Sequence, residues 1–147
     1  KYETEPSLLE FELTESAVSE NKNIYRMMQT LKGAGYHTSI DDFGSGYSSL
    51  NILDSIPASI IKLDKTFLHE TEEGNHRVVI KYIIAMVKEI GMKVICEGVE
   101  TQEQAIFLRS VGCDMAQGYY YAKPMPLKDF EKQYMAVHHQ IHPEDTM

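Results

Sequence analysis

Short apolar runs alternate along this chain with longer stretches of helical periodicity, and no other feature restricts its fold as much. A strand whose chain returns through a helix pairs parallel with the next strand, so the alternation implies β/α units around a parallel sheet. Strands are expected at residues 8–13, 38–41, 59–63 and 93–96, with a weaker pattern at 115–118. Most are rich in Ile, Val or Leu, as strands covered on both faces should be. Ile24, Met27, Met28 and Leu31 make one helical stripe, closed by Gly33 and Gly35. A helix at 76–90 turns Val79, Ile83, Val87 and Ile90 to one side and stops at Gly91. Another starts at Thr101, which has capping-box spacing with Gln104, and ends at Gly112. Pro126 suits the first position of a last helix that carries Leu127, Phe130 and Tyr134 inward. Residues 138–147 lack periodicity and read as a flexible tail behind a domain at 1–137.

Chemistry-bearing residues recur at one place in this pattern. Glu12, Asp41, Asp42, Lys62, Asp64, Glu97 and Gln117 all lie at, or just beyond, the C-terminal ends of successive expected strands. In a parallel β/α sheet those ends share one rim, where active sites sit in barrels and doubly wound folds alike. For any one residue a solvated loop is an adequate explanation; repetition on every strand is harder to explain that way.

Each segment has two readings. Strand parity sends Glu10 and Glu12 to one face and Leu9, Phe11 and Leu13 to the other, which fits a carboxylate in a barrel mouth or the wet face of an edge strand. Adjacent aspartates in a regular strand face opposite ways, so Asp41 and Asp42 can share a metal centre only if the chain leaves the strand at Asp42. Gly44 and Gly46 permit such a turn. Otherwise the segment is an ordinary Asp- and Gly-rich turn before a helix with Ser48 near its start. Lys62 and Asp64 share a face, and a lysine there implies either a phosphate or metal-linked partner or a buried ion pair with Asp64 or a glutamate. Glu97 ends a buried strand ahead of Gly98, and Glu100 precedes the helix cap, where its charge suits the helix N-terminus. Gly44-Ser-Gly46 lacks the third glycine of a dinucleotide fingerprint. His138, His139 and His142 read as solvated, and Tyr119, Tyr120 and Tyr121 as packing or pocket-lining.

Composition narrows the classes of function. The 147 residues with 43% hydrophobic content suit one globular domain. Fourteen basic against twenty-two acidic residues give a formal net charge of −8, which argues against binding a nucleic-acid polymer. A small phosphate ligand would need divalent cations to bridge it to carboxylates. Cys96 and Cys113 are too few for a disulfide framework and spaced unlike a zinc motif, so a cytoplasmic setting is expected. No apolar run approaches the roughly 20 residues of a membrane span, so no membrane contact is expected from this segment. The start at Lys1 rather than a methionine reads as a cut from something longer.

The runs LEFELTES, IDDFGSGYSSL, KLD, CEGVET and QGYYYAKPMP stand in the order and approximate spacing of EAL domains, and the chain resembles the C-terminal part of that family over nearly its whole length. The resemblance implies a partial (β/α)8 TIM-like barrel of about five C-terminal β/α units, since a complete barrel takes about 250 residues. It implies a phosphodiesterase that hydrolyses cyclic di-GMP to linear pGpG with two Mg²⁺ or Mn²⁺ ions, Ca²⁺ being inhibitory. Glu12, Asp41 and Asp42 resemble metal ligands, with Asp41 bridging; Lys62 resembles the residue that positions or activates water; Glu97 resembles a ligand through water or a proton acceptor. Asp64, Glu100 and Gln117 resemble pocket residues near the substrate, and Glu15 the glutamate that braces the loop from Asp42 to Ser49, associated with dimer contacts. The Glu-Ala-Leu triplet and the asparagine-bearing strand after it are absent, and both would precede Lys1. A homodimer or self-association through open strand edges is expected. The alternatives are a receptor or scaffold that binds cyclic di-GMP or a protein without hydrolysis, and another metal-dependent barrel hydrolase.

Overall fold

The computed structural model describes residues 4–20, 22–44, 50–68 and 75–135. Five strands, β1 (Glu10–Thr14), β2 (His37–Phe43), β3 (Ile60–Leu63), β4 (Lys93–Cys96) and β5 (Met115–Ala116), form one sheet in the order β1-β2-β3-β4-β5. All four pairings are parallel. Sequential order without a reversal point distinguishes a barrel wall from a doubly wound sheet, so these are consecutive β/α units of a TIM-like barrel. The helices are α1 (Glu15–Glu20), α2 (Lys22–Gly33), α3 (Leu50–Ser55), α4 (His76–Glu89), α5 (Gln102–Ser110) and the single turn α6 (Leu127–Phe130).

Register sorts the side chains into two layers. Ile40, Ile61 and Val94 stand side by side across β2, β3 and β4, as do Phe43, Leu63 and Cys96 one step further along, and all six are at most 1% exposed. They meet Met28 from α2, Leu53 from α3, Ile80, Ile84 and Val87 from α4 and Leu108 from α5 in one core cluster. The opposite face carries Glu12 beside Ser39, and Lys62 beside Ile95. The core therefore lies between sheet and helices, and the polar residues are left to the inner face of the wall.

Several expectations change in detail. In α4 the buried stripe is Ile80, Ile84 and Val87, while Val79 and Ile90 are 45% and 46% exposed. Apolar residues fill so many positions of this helix that periodicity leaves two overlapping stripes. Lateral anchors choose between them: Arg77 lies over the Phe107 ring of α5, and Lys88 reaches the loop after it. Met27 is exposed while its neighbour Met28 is fully buried. Leu127 and Phe130 are not inward but 69% and 45% exposed, because α6 is one turn long and no described layer covers it; Pro126 is its cap residue. Strand β1 starts later than expected, since Pro6–Leu8 forms a 3₁₀ turn. The tail at 138–147 lies outside the described residues.

Asp114 ties the second half of the wall together. Its carboxylate accepts the Val94 N–H at 2.9 Å and the Lys88 ammonium at 3.0 Å, while that ammonium also donates to the Gly112 carbonyl at 2.6 Å. Partial burial pushes the Asp114 carboxyl up, but the Val94 N–H and Lys88 outweigh it and hold it below the ordinary carboxylate range. A depressed folded-state value contributes stability above the ordinary aspartate pKa and loses it as pH falls through the folded value. Asp114→Asn is expected to lower stability at neutral pH by about 1 kcal/mol. The loss should shrink as pH falls below the aspartate range in urea titrations, and a loss independent of pH would contradict this account.

Candidate metal and phosphate site

Lys62 is the centre of the inner face. It lies on a strand with four buried residues and is itself 6% exposed. Its Nζ is 2.9 Å from Asp41 Oδ1 on β2, 2.9 Å from Glu97 Oε1 just past β4, and 3.1 Å from Glu12 Oε1 on β1. Burial alone would lower the lysine pKa, but hydrogen bonds to Asp41, Glu97 and Glu12 outweigh it and raise the value above the ordinary range. Such a group stays an ammonium at neutral pH; it can donate hydrogen bonds and charge but cannot act as a base. It does not pair with Asp64, although the two share a face.

A bulge brings two aspartates to the rim. The pairing of β2 with β3 shifts between Ile40 and Phe43, and Asp42 has φ 54. In a regular strand Asp42 would face the helices and Phe43 the site. The extra residue lets Phe43 enter the core and releases Asp42 to the rim. Left-handed backbone at a non-glycine residue costs about 1–2 kcal/mol, so the surroundings must hold it. Asp41, Asp42 and Glu97 present carboxylate oxygens within 4.8 Å of one another, a candidate cation site found among the described residues. Glu12 is outside this triplet and joins the cluster through Lys62; its side chain is 50% exposed.

Asp42, Asp64, Glu97, Glu100 and Gln117 line one cavity of about 390 Å³. Asp64 accepts the Thr66 N–H at 2.9 Å. Partial burial raises its carboxyl, but Thr66 and Lys65 outweigh that and hold it below the ordinary range. Glu100 is fixed through its backbone: Gln104 Oε1 accepts the Glu100 N–H at 2.8 Å while completing the capping box with Thr101. Gln117 is held by its N–H to Cys96 O and its carbonyl to Val99 N, at 2.9 and 3.0 Å. Gly118 lies against the Val99 backbone where any Cβ would collide. Glu15, 7% exposed, accepts the Gly44 N–H at 3.1 Å. The remainder of the loop it faces, with Gly46 and Ser48, and His138, His139 and His142 lie outside the described residues.

Sequence reasoning missed Lys65 and the backbone at Gly98 in the cavity wall and left Tyr119 undecided. Lys65 follows Asp64 directly and could have been read with it; the glycine contacts are spatial and leave no mark on periodicity. Tyr119 also borders a neighbouring cavity of about 520 Å³.

A cluster of carboxylates around a buried ammonium at the C-terminal rim of a parallel barrel wall is a candidate cation site in the place where β/α barrels carry their active sites. The family model described as the EAL domain matches residues 1–124, and the chain belongs to the EAL domain family. It is similar to the cyclic di-GMP phosphodiesterase NbdA of Pseudomonas aeruginosa, at 39% identity over 126 residues, covering 84% of this chain and 16% of that protein. It superposes on the EAL enzyme Bd1971, in a form with cAMP and cyclic-di-GMP bound, with a TM-score of 0.80 and 31% identity, covering 86% of this chain and 34% of that one. BlrP1 of Klebsiella pneumoniae, in a manganese and cyclic di-GMP complex, gives a TM-score of 0.75 and 30% identity, covering 82% and 31%; it is also known in a calcium complex. The chain spans about a sixth of the length of curated relatives it matches, 17%, 17% and 16%. No helix among the described residues is long and apolar enough to cross a membrane.

Removing the Lys62 charge leaves three carboxylates converging without a cation of their own. Lys62→Met is expected to lower stability by about 2 kcal/mol at neutral pH, less than for a fully buried pair because the carboxylates reach water. Denaturant titration of the variant measures this, and unchanged stability would show that the ammonium does not hold the cluster.

Proposed function

We propose that the domain containing this chain hydrolyses one phosphodiester bond of cyclic di-GMP, adding water across it to give linear pGpG. The observation that carries the reading is the Asp41, Asp42 and Glu97 triplet, within 4.8 Å, built around buried Lys62 in a chain of the EAL family. Its donors are all carboxylate oxygens, which suit hard divalent cations such as Mg²⁺ and Mn²⁺. Glu12, Asp41 and Asp42 would hold two such ions, the aspartates from within the triplet and Glu12 from its place beside Lys62. Bound there, the cations would acidify water and offset charge on the phosphate.

This chain's own groups supply the rest. Lys62 keeps the carboxylates converged and sets a permanent positive charge beside the place where water would be positioned. Glu97 either binds through water or accepts the proton that water gives up. Asp64, Glu100 and Gln117 fix the nucleotide in the cavity they share with Asp42 and Glu97. Glu15 braces the start of the loop after β2 through Gly44. Ca²⁺, larger and less strict in geometry than Mg²⁺, supports binding in place of turnover. The setting is cytoplasmic, and β1 and β5, each paired on one side only among the described residues, leave edges that further strands or a second copy would satisfy.

The full-length protein should turn over cyclic di-GMP with Mg²⁺ or Mn²⁺ and bind it without turnover in Ca²⁺. Glu97→Ala and Lys62→Ala should each lower kcat by about 100-fold or more. Unchanged activity in both variants would refute these roles, and binding without turnover in Mg²⁺ and Mn²⁺ would make the protein a receptor.

A further inference from the structure

We infer that Phe67, which sequence reasoning did not single out, is a positioning residue for Asp42 and through it for the cation site. The inference rests on the metal-dependent reaction proposed above. Asp42 owes its place to a bulge with left-handed backbone at two residues, Asp42 at φ 54 and Gly44 at φ 94. Something must hold that backbone, because nothing in a regular ladder does. One restraint is the Glu15 carboxylate, which accepts the Gly44 N–H at 3.1 Å. The Phe67 ring supplies another: its Cε2 and Cζ atoms occupy the space where a Cβ on Gly44 would stand, so the ring lies directly against that backbone.

Phe67 is well placed to act as a wedge. It sits on the 3₁₀ turn Lys65–Leu68 that follows β3, and its ring packs against the core cluster. Its own N–H donates to the Asp64 carbonyl at 3.1 Å, and the Asp64 N–H donates to the Phe43 carbonyl at 3.2 Å. The ring is thus tied to the end of β3, which is tied to the residue immediately after Asp42. Without the ring, Gly44 loses its cover, and Asp42 gains freedom to leave the triplet while Asp41 and Glu97 remain anchored by Lys62.

The neighbouring Leu68 provides the control. It belongs to the same turn, is 6% exposed and packs into the core, but is not among the atoms nearest Gly44. Mn²⁺ affinity, measured on the full-length protein by calorimetry with Mn²⁺ alone, should fall about 10-fold in Phe67→Ala, the lower end for losing a residue that orients a ligand. Leu68→Ala should lower the melting temperature comparably yet leave Mn²⁺ affinity within about twofold of the parent. Phe67→Leu, a milder change that keeps an apolar side chain, should fall between Phe67→Ala and the parent and serves if the alanine variant does not fold. Equal weakening in the Phe67 and Leu68 variants would mean general loosening, and unchanged affinity in the Phe67 variants would mean the ring holds nothing; either overturns the inference while the proposed reaction stands. A parent that neither binds Mn²⁺ nor turns over cyclic di-GMP would overturn both.

Discussion

The buried ammonium of Lys62 is the interaction on which the inner face of this wall depends. An isolated charge at 6% exposure would be strongly disfavoured, and three carboxylates converging without a cation would repel one another. Together they are mutually sufficient: Glu12, Asp41 and Glu97 satisfy the lysine, and the lysine lets them approach. Because each partner comes from a different part of the wall, the same contacts set the relative positions of β1, β2 and the end of β4. Stability and site geometry are one problem here, solved by one side chain.

The rim outside that cluster is organised by backbone rather than by charge. Gly44 admits the Phe67 ring, Gly98 admits the side chain of Lys65, and Gly118 admits the backbone of Val99. Each contact joins loops after different strands, so the ends of β2, β3, β4 and β5 are locked in sequence around the rim. A side chain at any of these positions would separate two loops and move the carboxylates they carry. Rigid backbone is what allows short acidic side chains, which have little reach, to meet within 4.8 Å.

The sequence displayed the larger features well because they depend on local order. Strand β4 runs over residues 93–96 as its apolar pattern requires, the capping box of Thr101 and Gln104 forms in both directions, and the helix from His76 stops beside Gly91. Strand order also placed Glu12, Asp41 and Lys62 at one rim, at the C-terminal ends of successive strands. What stayed hidden was decided across space. The buried stripe of α4 was chosen by lateral contacts to α5 and the loop beyond it, and the exposure of Leu127 and Phe130 by the shortness of α6. Glu12 faces the right way but falls short of the triplet, a matter of reach that parity does not contain. A departure from the strand at Asp42 was anticipated as a condition for sharing a centre with Asp41, but the strand instead continues to Phe43 through a bulge; Phe67 as its neighbour was not anticipated, since nothing in its spacing sets it apart from any other core aromatic.

Charge explains why such a site would combine a fixed ammonium with exchangeable cations. The chain carries a formal net charge of −8, and the cavity wall concentrates Asp42, Asp64, Glu97 and Glu100 against Lys65. An anion approaching that wall is repelled unless the local sign is inverted; the Lys62 ammonium cannot invert it because three carboxylates already neutralise it, and Lys65 is outnumbered by the four carboxylates of the wall. Divalent cations at the triplet can. Lys62 then serves a different end, holding Asp41 and Glu97 in register whether or not a cation is present, so ligand geometry need not be assembled at each binding event. A second ammonium in place of the cations would have to be buried and paired in turn, at a further cost in desolvation.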